Sequence, residues 1–262
     1  MNKVPSRAVA PVIGLAIRSS QAEQVAGTLA ARYFAKTSRP QIRSAGPTLL
    51  CLLSIAGGCI TTAVASIPLA DVKSIDSTIV VELRYAGPNN LTRRALYPSK
   101  TRAMIRPELL PRLQQAHRFL RQFDYRLKIW DAYRPVEAQR ALWQAVANEQ
   151  YVANPDLGAG SLHSWGVAVD CTLADLHDRA VQMPSDFDDF SPAAMTRYTG
   201  SDPVLRTRLQ LLRVAMAAAG FYAFRNEWWH FTAKNWADYL PPAEVERITR
   251  IADGALPETR HD

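Results

Sequence analysis

Ser161-Leu-His163-Ser-Trp-Gly166-Val-Ala168-Val-Asp170 and, sixty residues on, Glu227-Trp-Trp-His230 carry most of what this chain reveals. They supply two imidazoles, a carboxylate that can bind a metal and a second carboxylate that can act as a base. Three protein ligands with room for a water are what a catalytic zinc site needs. A hydrolase is therefore the first reading. The residues from Gly166 to Asp170 alternate, so Gly166, Ala168 and Asp170 share one face of a strand and Val167 and Val169 the other. The small residues at 166 and 168 are expected to leave space in front of Asp170. Glu227 lies three residues before His230. On a strand that spacing separates them, whereas near a turn both can reach one centre. Glu227 is expected beside the metal, moving a proton, rather than on it.

The other histidines compete poorly as ligands. His261 is in the tail, His177 follows a strand in an acid-bearing loop, and His117 falls within a surface helix. Three cysteines are present, Cys51, Cys59 and Cys171. Only Cys171 lies in the body, which excludes an internal disulfide there and a thiolate-rich structural zinc site. It reads as a buried thiol. A further string, Trp130-Asp131-Ala132-Tyr133-Arg134-Pro135, marks a strand-to-helix junction. Arg134 there could bind a carboxylate, brace a developing oxyanion, or simply pair with Asp131.

The chain has 262 residues and a formal charge of +7. Seven of its 31 basic residues and one of its 24 acidic residues precede Ser66, so the body carries 24 against 23. The basic bias belongs to the leader. No concentrated basic face or base-stacking motif is evident in the body, and nucleic acid is not an expected partner. Residues 1–65 read as a leader with a signal peptide. Arg43 precedes an apolar run from Pro47, and Ala63-Val-Ala65 supplies an exit for cleavage. The competing reading is lipid attachment at Cys59. The run is too short and too rich in Gly, Ser and Thr for a membrane span. The basic stretch is long for a signal, which leaves room for a start downstream of Met1. The expected product is a periplasmic domain, residues 66–262, or one anchored in the envelope by lipid.

Within that body, Ile75–Tyr85 reads as a strand with a turn at Gly87–Asn90. Pro107–Phe123 has helical spacing (Leu109, Leu110, Leu113, Ala116, Phe119, Leu120). Tyr125–Tyr133 is a strand and Pro135–Tyr151 a helix. Asn154–Ser161 is a Gly-rich loop, Val167–Thr172 a strand and Asp186–Ser191 an acidic loop. Pro203–Ala219 is a helix stopped by Gly220. Phe221–Phe224 and Trp228–Phe231 are strands, and Ala243–Ala252 is a last helix. Helices and strands do not alternate strictly, so the fold class is α+β.

These strings resemble the VanX-type D-alanyl-D-alanine dipeptidases, within the zinc D,D-peptidases related to Hedgehog domains. Leu83-Arg84-Tyr85-Ala86 with Asn89 or Asn90 and Leu91-Thr92, Asp131–Pro135 and Met183-Pro-Ser-Asp-Phe187-Asp188 are similar to further strings of that family, in the family's order. The resemblance runs from about residue 70 to 250. It implies a small, mostly antiparallel sheet flanked by helices. It implies one zinc per chain held by His163, Asp170 and His230, with Glu227 as general acid and base and Arg134 stabilising the tetrahedral intermediate. Asp188 and Tyr85 would receive the free ammonium of a small dipeptide, and Ser161 would lie against the substrate. The implied activity is hydrolysis of D-Ala-D-Ala in cell-wall peptide turnover. The alternative is a D,D-carboxypeptidase or endopeptidase acting on peptidoglycan stem peptides. Departures from the family strings are Leu91 for an aromatic, Ala132 for Gly, and Pro184-Ser185 for Gly-Thr, the last bearing on the loop that presents Asp188.

Overall fold

The computed structural model describes residues 67–156 and 160–252. The expected cleavage site at Ala65, Cys59 and His261 lie outside the described residues. Among the described residues, no helix is long and apolar enough to cross a membrane.

Among the described residues, seven strands form two sheets. β1 (Ala70–Asp71) pairs with β3 (Met104–Ile105). The main sheet runs β2 (Val80–Val81), β4 (Tyr125–Asp131), β5 (Ala168–Asp175), β7 (His230–Ala233), β6 (Phe221–Ala223). Only β2 joins it parallel, against Lys128 and Ile129 of β4; the other three pairings are antiparallel. The expected α+β class with a mostly antiparallel sheet is what the chain adopts. β4 and β5 sit in the middle, so both faces are covered. Val169, Cys171 and Leu173 go to the apolar core, and alternation sends Ala168, Asp170 and Thr172 to the opposite face, where they are buried as well.

Helix α1 (Leu110–Arg121) presents Leu110, Leu113, Ala116 and Leu120 to the core and packs on β4 and on α3 (Pro203–Ala218). α3 begins on Asp202, whose side chain accepts from the amides of Val204 and Leu205, with Pro203 at a first-turn position that needs no donor. It ends before Gly220, at φ +86°. α2 (Val136–Ala145) follows β4, and α4 (Pro242–Ala252) closes the chain described.

Several boundaries differ from expectation, each for a local reason. The strand expected over Ile75–Tyr85 shrinks to Val80–Val81. Asp76 accepts from the amide and hydroxyl of Thr78, which turns the chain before the strand, and Arg84–Ala86 is a 3₁₀ turn. The helix expected to reach Tyr151 stops at Ala145, where Val146 is extended and Asn148 takes the amide of Gln150 in a turn. β7 starts at His230, because Glu227–Trp229 forms a turn closed by His230 N–H on the Glu227 carbonyl at 3.2 Å. His117 is not a surface residue. It is buried, with Nδ1 accepting from Leu127 N–H at 3.1 Å and Nε2 2.9 Å from the Thr78 hydroxyl. Its burial pushes its pKa down to about 4, so it ties α1 to β4 as a neutral ring.

The near-neutral charge of the body is not evenly spread. The stretch from Pro203 to Asn226 contains four arginines and no acid. The fold brings Arg206 and Arg213 of α3 together with Arg197 and Lys234 around one cleft.

Candidate active site

Asp170 and His230 face each other as register partners across β5 and β7. His163 reaches them from a 3₁₀ turn, Leu162–Trp165, that immediately precedes β5. Ser161 caps that turn, its hydroxyl accepting from His163 N–H at 3.3 Å. Gly166 ends it in the left-handed region, at φ +68°. A Cβ there would come within 2.6 Å of the Leu69 side chain. The glycine therefore serves the turn and the close approach of Leu69, not an open space in front of Asp170 as its place in the strand pattern suggests. Arg106 holds the same turn from outside, donating to the Trp165 carbonyl at 3.0 Å while its own amide donates to Gly166 at 3.0 Å.

The three side chains converge. His163 Nε2 is 3.1 Å from His230 Nδ1 and 3.3 Å from Asp170 Oδ1, and His230 Nδ1 is 3.0 Å from that oxygen. Ligands at zinc distances in a tetrahedron stand about 3.3 Å from one another, so the triangle is of the right size. The protons also fit. His163 Nδ1 lies 2.7 Å from the Ala132 carbonyl, which can only accept, so the proton is on Nδ1 and Nε2 offers a lone pair. His230 Nε2 lies 3.1 Å from the Thr232 hydroxyl. With its proton donated there, Nδ1 also offers a lone pair. Burial keeps His230 neutral, lowering its pKa against the pull of Asp170. Burial disfavours ionised Asp170, but positive charge at the imidazole positions holds its carboxyl well below the usual range, and with both rings neutral a bound cation would have to supply that charge. Three acceptors pointing at one spot call for a cation, and the donor set of two nitrogens and one oxygen suits zinc.

Glu227 lies on the turn before β7, its Oε2 3.9 Å from His230 Nδ1. The turn, not a strand, is what lets both residues face one centre. Burial and the nearby charges of Asp170 and Asp188 push the Glu227 carboxyl well above its ordinary pKa. Arg134 leaves the end of β4, where a register irregularity between Ile129 and Asp131 turns the strand and sets Asp131 opposite Asp170. The Arg134 guanidinium is fixed on several sides. Nε donates to Asp131 at 2.8 Å, one terminal nitrogen donates to Gln139 Oε1 at 2.8 Å, and the other lies 3.4 Å from Asp170 Oδ2. Its pairing with Asp131 and its approach to Asp170 are thus parts of one arrangement.

Asp188 adopts φ +57°. Its carboxylate accepts from the Tyr85 hydroxyl at 3.1 Å and from the Leu91 amide at 2.9 Å. Burial raises its pKa to about 6 despite those bonds. The Tyr85 ring lies under the Arg134 guanidinium, 4.8 Å from ring centre to Cζ. So Tyr85 and Asp188 meet Arg134, while Ser161 backs the turn that carries His163. Ser185, one of the departures in this loop, accepts from Trp228 Nε1 at 2.9 Å and ties the Asp188 loop to the Glu227 turn.

Four contributors received no role from the sequence, although Phe187 stands within one of the quoted strings. Tyr97 donates to Asp131 at 2.8 Å. Gln139 spans from Arg134 to the Ala153 carbonyl. Phe187 packs edge-on or tilted against Tyr85, Trp130 and Trp229, with centroids 5.3–5.8 Å apart. Phe224 sets its ring edge to His230 at 5.7 Å and is partly exposed. A polar or aromatic residue near a motif is too common in sequence to single these out. Asn90 is different, since Asn in a turn is a visible signal. Its amide donates to the carbonyls of Arg84, Gly87 and Arg94, and so shapes the loop that offers Leu91 N–H to Asp188.

Comparison with known proteins matches this geometry. A family profile described as D-ala-D-ala dipeptidase matches residues 65–244. A D-alanyl-D-alanine dipeptidase of Escherichia coli is 33% identical over 171 residues, covering 65% of this chain and 87% of that protein. One of Enterococcus faecalis is 26% identical over 168 residues, covering 57% and 83%. Among solved structures, a mutant of the vancomycin-resistance D,D-pentapeptidase VanY in complex with Zn(II) aligns at 17% identity and a TM-score of 0.36, over 52% of this chain and 75% of that one. With the profile spanning more than half of its length and the first of these relatives covered almost end to end, the chain belongs to the D-Ala-D-Ala dipeptidase family and is a metallopeptidase.

Proposed function

We propose that the protein hydrolyses the free dipeptide D-Ala-D-Ala to two D-alanines, using one zinc ion held by His163, Asp170 and His230. The observation that carries this reading is the Tyr85–Asp188 pair beside Arg134. A carboxylate set in the pocket is an acceptor for a free ammonium, and it suits a dipeptide better than an N-blocked chain. A D,D-carboxypeptidase acting on stem peptides would need that end open.

When bound, zinc would acidify a water and polarise the scissile carbonyl. Glu227 would take the proton of the attacking water and return it to the leaving amine. Its raised pKa makes it a better base near neutral pH and lets it hold the proton between the two steps. Arg134, held flat by Asp131 and Gln139, would face the oxyanion as charge develops, a contribution of about 10²–10³ in rate for a donor of this kind. Because three acceptors fix the guanidinium beforehand, little reorganisation accompanies the step. Asp188 would bind the substrate's ammonium while Tyr85 steadies that carboxylate. Ser161 would contribute by orienting His163 and the wall of the pocket around it.

Export to the periplasm and a role in cell-wall peptide turnover belong to the same proposal, supported by the apolar run and Ala63-Val-Ala65 exit. The test is release of free alanine from D-Ala-D-Ala, L-Ala-L-Ala and N-acetyl-D-Ala-D-Ala by the zinc-loaded protein. Cleavage of the first alone is expected. Equal or faster cleavage of the acetylated substrate would transfer the assignment to a carboxypeptidase. No cleavage of any would leave a binding protein.

A further inference from the structure

We infer that the cleft between α3 and β6 is a second binding site, one for an extended ligand carrying several carboxylate or phosphate groups. The cleft has a volume of about 760 Å³ and is lined by Arg197, Arg206, Arg213 and Lys234 together with Tyr198 and Tyr222; no carboxylate lines it. It shares no residue with the cluster of His163, Asp170 and His230.

Three features of this group of cations bear on a ligand. First, among the described residues they make no ion pair. Other cations, such as Arg112 and Arg208, also bond neutral partners, but these four are gathered around one cleft with no carboxylate in its lining. Gathering unpaired like charges raises the free energy of the fold unless an anion relieves it. Second, two of the four are held in place by neutral carbonyls. Arg206 donates to Gly200 at 2.9 Å and Lys234 to Ala217 at 3.1 Å. Those bonds fix the heads without cancelling their charge, and each keeps further N–H donors for a ligand. Third, Arg206 and Arg213 stand seven residues apart on one face of α3, which spaces them about 10 Å along the cleft. An extended chain covers that distance in about three residues. The cleft therefore suits a row of anionic groups rather than a single ion, and the tyrosines offer it hydroxyls and ring faces between the charges.

The site is tested with fluorescein-labelled hexaglutamate, hexaphosphoserine and hexaglutamine, using anisotropy with the full-length zinc-loaded protein in low salt. Binding of hexaglutamate or hexaphosphoserine, and none of hexaglutamine, is expected; which of the two is tighter tells carboxylate from phosphate. Arg206→Glu with Arg213→Glu should weaken binding at least tenfold. The control Arg118→Glu with Arg121→Glu, the same change in net charge on α1, should leave it within twofold. Neither pair should alter turnover of D-Ala-D-Ala, a readout that also reports an intact fold. Failure of both acidic peptides to bind, or equal loss in the α1 control, would overturn the assignment.

Discussion

The two halves of the catalytic pocket are built differently. The half proposed to bind metal is anchored on paired strands. Asp170 and His230 are register partners on adjacent strands, and His163 rides a capped 3₁₀ turn leading straight into β5. The half proposed to face substrate draws on no strand. Tyr85 sits on another 3₁₀ turn, Leu91 in a loop shaped by Asn90, and Asp188 at a left-handed position between loops. Rigid elements hold ligand atoms to the tolerance a metal demands, whereas loops set what else may enter. The difference teaches that chemistry and specificity in this chain should fail separately.

The sharpest way to break the comparison is within the metal half. Asp170→Asn removes the charge that three neighbours depend on, and the protein should lose its zinc on purification along with its activity. Glu227→Gln should leave zinc content at one ion per chain while lowering kcat by about 10²–10⁴. Metal analysis beside turnover checks both. If Glu227→Gln also released the metal, Glu227 would be a ligand, and its assignment as the proton carrier would fall.

The same division governs what could be read from sequence. The convergence of His163, Asp170 and His230 was legible because metal chemistry draws on few residue types, here within two short strings. The purpose of Gly166 was not, since its reason is the side chain of Leu69, nearly a hundred residues earlier. The turn at Glu227 was open to two readings, and only the pairing of β7 from His230 onward decides between them. His117 looked like a surface residue because its helix is amphipathic and its partners, Leu127 and Thr78, come from two separate strands' neighbourhoods. The basic cleft was hidden for a related reason. Net charge counted along the body is nearly zero, but the acid-free run of α3 meets Arg197 and Lys234 only after folding. Local spacing announces what one element does; anything assembled from several elements needs the fold.

A smaller effect is expected in the substrate half. Asp188→Asn keeps the size of the side chain but not the charge, and only its oxygen can still accept, from the Leu91 amide, while its NH2 would have to donate to the Tyr85 hydroxyl oxygen. KM for D-Ala-D-Ala should rise by about 10- to 100-fold, the worth of a charge-assisted hydrogen bond, with zinc content unchanged. Discrimination against the N-acetylated substrate should shrink by the same factor. Acid should imitate the substitution. The wild-type Asp188 pKa is raised to about 6, so KM should climb as pH falls through that value, and the variant should lack this limb. Stability gives the opposite sign. From its ordinary value of 3.8 up to about 6, the folded protein binds a proton that the unfolded chain has lost. Wild-type stability therefore falls across that window as pH rises, and Asp188→Asn should be spared this fall. A Tm series from pH 4 to 7 reads the difference, and parallel curves for the two proteins would refute the raised pKa.

The smallest effect tests how the two halves are joined. Asp131 receives Arg134 from one side and the Tyr97 hydroxyl at 2.8 Å from the other, and lies 3.6 Å from His163 Nδ1. It is fully buried, so each donor it loses is a donor water does not replace. Tyr97→Phe removes one such bond with almost no change in volume, at a cost of about 1 kcal/mol in stability, which at this size lowers Tm by about 2–4 °C. Asp131 then leans harder on Arg134, whose guanidinium should shift relative to Asp170. The expected signature is a drop in kcat of about threefold to tenfold with KM for D-Ala-D-Ala and zinc content unchanged, because the hydroxyl removed bonds Asp131, while phenylalanine keeps the ring's edge contact with Tyr85. A rise in KM instead would mean that the Tyr97–Asp131 bond supports the loop half, and that the boundary drawn between the two halves runs on the wrong side of Arg134.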